Sequence, residues 1–225
     1  MKIILFGATG MVGQGVLREC LLDAEIESVL AVGRTATGVA HEKLREIVRA
    51  DLFHYADVED QLRGYDACFF CLGVSSAGMT EVNYRHLTYD LTLAAAETLA
   101  KVNPGMTFIY ISGMGTDSTE HGRVMWARVK GATENALLRL PLAAYMFRPG
   151  AIQPMHGEKS KTRMYRVMYA AMGFAIPVLL RLFPNSVTTT ERIGRAMIEV
   201  AKHGAAKKLL ETRDINELAR GARTS

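Results

Sequence analysis

A chain of 225 residues with 49% hydrophobic and 22% charged side chains, 20 Gly and 6 Pro is long enough to bury a full core and surround a ligand, and its composition excludes disorder away from the ends. The net charge of +4 is scattered rather than gathered into a stripe, which excludes nucleic-acid recognition; the local basic run GEKSKTRMYR (157–166) reads as a solvated helix start. Cys20, Cys68 and Cys71 are an odd set at ordinary density, and the opening MKIILF is too short an apolar run for a signal peptide, so a protein of the reducing cytoplasm is expected.

The first apolar run, KIILF (2–6), has the continuous aliphatic character of a parallel strand covered on both faces. It leads straight into GATGMVGQG, after which residues 11–22 carry a helical pattern. In this setting Gly7, Gly10 and Gly13 form a dinucleotide fingerprint: Gly7 permits the tight turn, Gly10 lets a pyrophosphate approach the backbone, and Gly13 lets the helix pack closely. Thr9, Met11 and Val12 complete the loop and the helix start, whose N–H groups face the phosphate charge. No Gly-Lys-Ser/Thr follows, which excludes a P-loop. The second strand, SVLAVG (28–33), ends in Gly33 and Arg34. A carboxylate at this point would hold a ribose 2′-hydroxyl, whereas a guanidinium suits a 2′-phosphate. NADP(H) is therefore the preferred cofactor and NAD(H) the alternative.

Further strands are expected at 46–50, 66–72, 106–112 and 143–148, with a weaker one at 207–211. Helices are expected near 57–63, 80–102, 122–140, 159–183 and 190–203. This alternation predicts a doubly wound parallel α/β sheet in a single domain spanning 1–225, with residues 151–190 as a small helical cap over a substrate. Cys68 and Cys71 lie three apart on one strand and so point to opposite faces, which removes a redox or metal pair; the dispersed histidines give no ligand spacing either. The uncharged run VMYAAMGFAIPVLL (167–180) is shorter than the roughly 20 residues a membrane span needs and contains Gly173 and Pro177. It reads as a lid or core helix, with a membrane-surface contact as the alternative.

The GxxGxxG spacing, the strand rhythm and the pair Ser112 and Lys130 resemble the short-chain dehydrogenase/reductase superfamily. The fit is nearest its atypical, extended branch, the NmrA-like and Tat-interacting-protein-like oxidoreductases and sugar-nucleotide epimerases, whose NAD(P)-binding domain is a Rossmann fold. The likeness covers residues 1–155 well and the remainder loosely. It implies that Asp51 closes the third strand and contacts adenine with Leu52 beside it, and that Cys71, Leu72 and Gly73 line the cofactor ribose. Arg148, Pro149 and Gly150 would lie where nicotinamide and substrate meet.

The same resemblance implies a Ser, Tyr and Lys acting together: Ser112 orients the substrate oxygen, and Lys130 holds the ribose and lowers the tyrosine pKa. One helical turn before Lys130, however, stands Trp126. A phenol with a pKa near 10 can release a proton beside a cation, whereas an indole N–H is a hydrogen-bond donor that does not titrate usefully. Two functions remain open. One is an NADP(H)-dependent oxidoreductase or epimerase-like enzyme for an apolar or anionic small molecule, using Ser112, Trp126 N–H and water, or a substitute acid from Tyr84, His121 or Tyr165, with Tyr89 on another helical face. The other is a non-catalytic NADP(H)-binding sensor or interaction protein. A homo-oligomer or a protein partner is compatible with both.

Overall fold

The computed structural model describes residues 1–158 and 186–221. Nine strands are defined among them: β1 (Lys2–Phe6), β2 (Ser28–Gly33), β3 (Leu44–Val48), β4 (Ala67–Phe70), β5 (Thr107–Ile111), β6 (Ala143–Arg148), β7 (Ala151–Gln153), β8 (Val187–Thr189) and β9 (Leu209–Glu211). The helices are α1 (Met11–Leu22), α2 (Glu81–Arg85), α3 (Leu91–Val102), α4 (Met125–Leu137), α5 (Thr190–His203) and α6 (Thr212–Gly221). The seven-stranded central sheet has the order β3-β2-β1-β4-β5-β6-β9, and every neighbouring pair in it is parallel. β7 and β8 form a separate parallel pair.

Alternate residues of the strands feed two cores, as a sheet buried on both faces requires. Ile3, Leu5, Ala31, Phe69 and Phe147 pack with Val16, Leu17, Ile193, Met197 and Ile215 of α1, α5 and α6. Ile4, Phe6, Val32, Phe70 and Phe108 pack with Ala96, Leu99 and Leu137 of α3 and α4. Cys68 faces the second core and Cys71 abuts the first, as their spacing predicts. Helix α1 packs closely on α5 through two glycines, because a Cβ on Gly15 would stand 2.5 Å from Thr190 Cβ and one on Gly194 2.8 Å from Glu19 Cγ.

The doubly wound parallel sheet predicted from the strand rhythm is the observed fold. Its details differ in several places. β3 runs over 44–48 rather than 46–50, because pairing with β2 starts where Val29 N–H meets Lys43 O at 2.8 Å. The helix expected at 57–63 is a 3-10 turn over Glu59–Leu62. The long helix expected at 80–102 begins at an N-cap, with Thr80 Oγ1 accepting from Asn83 N–H, and opens into a π-helical turn over His86–Asp90. That wider turn sets the His86 ring on Phe53 with 4.4 Å between centroids. Of the cap expected over 151–190, the β7–β8 pair and the start of α5 are described; the helix expected at 159–183 and the apolar run 167–180 lie outside the described residues. Among the described residues no helix is long and apolar enough to cross a membrane.

Candidate functional site

In a doubly wound sheet the ligand crevice opens at the carboxyl ends of the strands where the strand order reverses. Here the reversal falls between β1 and β4, and the glycine loop lies there. Gly7 has φ of +80° and sits directly beneath the chain leaving β4: a Cβ would stand 2.7 Å from Cys71 C and 2.8 Å from Leu72 N. A Cβ on Gly13 would come within 2.0 Å of Gly7 O, so α1 can start this close to β1 with glycine alone. The cap residue of α1 is Gly10, with no side-chain hydrogen bond and no acidic residue in the first turn. The N–H groups of Met11, Val12 and Gly13, at the positive end of the helix, are thus left to an anion.

Gly7, Thr9, Gly10, Arg34, Cys71, Leu72 and Gly73 line one cleft at this point, joined by Ala8, Thr35, Thr37, Glu46, Ile47 and Val48. Arg34 is exposed and has no ion-pair or hydrogen-bond partner among the described residues. The β3 contribution escaped the sequence reading because of the two-residue register difference. With Gly33 paired to Val48, the strand end facing the cleft is Glu46–Val48. Asp51 lies three residues beyond the end of β3, where Oδ1 accepts from Phe53 N–H at 2.7 Å and Oδ2 meets His54 Nδ1 at 2.7 Å. These bonds, the Phe53 N–H first, hold the Asp51 carboxyl below its ordinary value. Leu52 is buried in the second core, and neither Asp51 nor Leu52 lines the cleft.

A second cluster forms two strands along the same edge. Ser112 follows β5 and is buried; its N–H donates to Phe147 O at 2.8 Å and its Oγ to the same oxygen at 3.1 Å. Lys130 Nζ donates to Ser112 O, which brings the two predicted residues together. Burial lowers the Lys130 ammonium to about 8, against the opposing pull of Glu134 one turn further along α4. The loop after β5 seats on α4 through Gly131, where a Cβ would stand 1.8 Å from Asp117 O, and through Asp117 N–H donating to Ala127 O at 3.1 Å. This close seating places the Trp126 ring beside Gly115; a Cβ there would be 3.6 Å from Trp126 Cη2. The indole N–H has no hydrogen-bond partner among the described residues.

Pro149 joins this cluster through its carbonyl, which accepts from Met114 N–H at 2.9 Å, while Gly150 N–H is held by Thr212 Oγ1 at 2.8 Å. Arg148 does not join it. Its guanidinium is paired with the fully buried Glu134 and also reaches Glu211 and Ser118 Oγ, so the side chain ties α4 to β6 and β9. Of the substitute acids, Tyr84 is buried, which pushes its phenol pKa up, and Tyr89 lies under the Arg85 guanidinium at 4.0 Å. His121 is exposed in the loop before α4, and Tyr165 lies outside the described residues. None of the described three is hydrogen-bonded to Ser112 or Lys130.

Comparison with known proteins agrees with this fold. "Protein FMP52-2, mitochondrial" of Scheffersomyces stipitis is 29% identical over 163 residues, covering 71% of this chain and 68% of that protein. "Protein fmp52-2, mitochondrial" of Aspergillus oryzae is 25% identical over 222 residues, 96% of each. Among solved structures, the oxidoreductase ylbE from Lactococcus lactis superimposes with a TM-score of 0.66 at 15% identity, over 98% of this chain and 96% of that one. A UDP-glucose 4-epimerase gives a TM-score of 0.69 at 16% identity, over 100% and 83%. The Bordetella bronchiseptica enzyme WbmF, solved with NAD+, gives 0.67 at 14%, over 99% and 77%. The cytoplasmic expectation is corrected by these curated relatives, whose names place them in mitochondria. Cysteine usage separates oxidising from reducing compartments but does not tell one reducing compartment from another. The NAD(P)H-binding family matches residues 7–173, well over half of the sequence, and with its parallel Rossmann-type sheet and glycine loop the chain belongs to that family.

Proposed function

We propose that the chain binds NADP(H) in preference to NAD(H) and acts as an atypical short-chain dehydrogenase/reductase-like oxidoreductase or epimerase-like enzyme on a small molecule, with residues 1–225 as one domain. The observation that carries this reading is the unpaired Arg34 guanidinium on the wall of a cleft floored by the uncapped start of α1. The close backbone approaches at Gly7 and Gly13, which a Cβ at either position would break, hold the loop in the shape that receives a pyrophosphate. Met11, Val12 and Gly13 present N–H groups to it, Thr9 and Gly10 shape the approach, and Arg34 takes the 2′-phosphate. Cys71, Leu72 and Gly73 back the sugar, and Lys130 holds the nicotinamide ribose near Ser112 and Pro149.

A nicotinamide held by these residues would supply hydride chemistry at a substrate carbonyl carbon. Ser112 Oγ, turned away from Phe147 O, and Trp126 N–H would donate hydrogen bonds to the carbonyl oxygen, and the Lys130 charge would stabilise the alkoxide. Water supplies the proton, because the indole has none to release. The test is consumption of NADPH with a panel of aldehydes, ketones, quinones and sugar nucleotides. Oxidation above background with at least one substrate, lost in Lys130→Met, is expected; a uniformly silent panel sinks the enzymatic reading.

A second reading, a non-catalytic NADP(H) sensor or interaction protein, is favoured by the engagement of Ser112 Oγ with Phe147 O beside an indole that does not titrate. It predicts saturable NADPH binding with no turnover on any carbonyl.

A further inference from the structure

We propose that Glu46 is a second specificity determinant of the cleft, opposing Arg34 and setting how strongly the site prefers a 2′-phosphate to a 2′-hydroxyl. This rests on reading the cleft as the adenosine end of an NADP(H) site. Glu46 lies on β3 in register with Ala31 of β2, and its side chain reaches Thr37 in the connection that follows β2. Its Oε1 accepts from Thr37 N–H at 2.7 Å. Arg34, Thr35, Thr37 and Glu46 line the same wall.

Arg34 and Glu46 do not form an ion pair with each other or with any other described residue, and Glu46 Oε2 has no hydrogen-bond partner among the described residues. One guanidinium and one carboxylate oxygen in the lining of this cleft are therefore left without a partner among the described residues. A 2′-phosphate is drawn by Arg34 and repelled by Glu46, whereas a 2′-hydroxyl donates to Glu46 Oε2 and makes little use of the guanidinium charge. The carboxylate is exposed, so solvent weakens the repulsion and its removal is worth about tenfold in affinity. The site so built prefers NADP(H) while still accepting NAD(H).

The test is calorimetric titration of the full chain with adenosine 2′,5′-bisphosphate and with AMP, ligands that need no turnover. Glu46→Gln keeps an amide oxygen to accept from Thr37 N–H, so the loop stays held while the charge goes. The expected result is bisphosphate binding about tenfold tighter relative to AMP, with the gain shrinking as salt rises. An unchanged ratio, or an equal loss for both ligands as a purely structural role predicts, overturns the proposal. Arg34→Ala separates the two readings: if it leaves the bisphosphate preference intact, the assignment of Arg34 fails while the Glu46→Gln ratio still decides this one. Wild-type protein that binds neither nucleotide overturns both.

Discussion

Trp126 puts a hydrogen-bond donor where the sequence resemblance implies a phenol, one turn from an ammonium that touches Ser112 O. Supplying a phenol at 126 tests the proposed enzymatic reading. Trp126→Tyr is expected to raise NADPH-dependent turnover by about 10²-fold or more, read as loss of NADPH absorbance. An unchanged rate would place the chemistry elsewhere. Lys130 makes a second prediction through its titration at about 8. The cofactor is an anion, so its affinity is expected to fall as pH rises through about 8 and Lys130 loses its charge; Lys130→Met should flatten that profile. The stability effect has the opposite sign. Burial lowers the folded value from 10.5, so the unfolded chain binds more protons between about 8 and 10.5. Over that window this group makes stability rise with pH, which urea midpoints of wild type and Lys130→Met measured at several pH values will show.

Between elements, close contacts set the site more than side-chain chemistry does. Gly131→Ala would drive a methyl into Asp117 O and push the loop after β5 off α4, so a loss of about 1–3 kcal/mol in denaturant unfolding is expected, together with weakened NADPH binding. Arg148→Met would leave Glu134 buried without its partner, and a loss of about 3–5 kcal/mol is expected by the same measurement. Such relations mark the limit of what the sequence reveals. The β1, glycine-loop and α1 unit was legible because an apolar run, turn glycines and a helical period agree locally. β3 was misplaced by two residues because LREIVRA is apolar at too few positions to fix its own ends; pairing with β2 fixes them. That slip concealed Glu46, Ile47 and Val48 and put Asp51 at a strand end it does not occupy. Arg148 carried a family position, yet its side chain follows strand alternation onto the α4 face. The strands β7 and β8 were hidden for another reason, since three-residue strands distant in sequence carry no periodicity of their own.

At the scale of the whole molecule, a parallel sheet covered on both faces directs the ends of β1, β4, β5 and β6 to one edge, so the glycine loop, Cys71, Ser112 and Pro149 share that edge although they are far apart in sequence. The cleft holds a helix start with no side-chain cap and a guanidinium without a partner among the described residues. A ligand that satisfies both stabilises the folded state by mass action, by about 2.7 kcal/mol at a hundredfold excess over Kd. NADPH is therefore expected to raise the melting temperature more than NADH does. The most direct test of the account is titration of wild type and Gly10→Val with NADPH, followed by cofactor fluorescence. Gly10 lines the cleft and is the least crowded glycine of the loop: an added Cβ meets one atom within 4 Å, Gly7 O at 3.3 Å, which must give by a few tenths of an ångström. The account predicts saturable binding of NADPH by wild type and its loss in a Gly10→Val protein that still unfolds cooperatively. Binding that survives the substitution unchanged would contradict it.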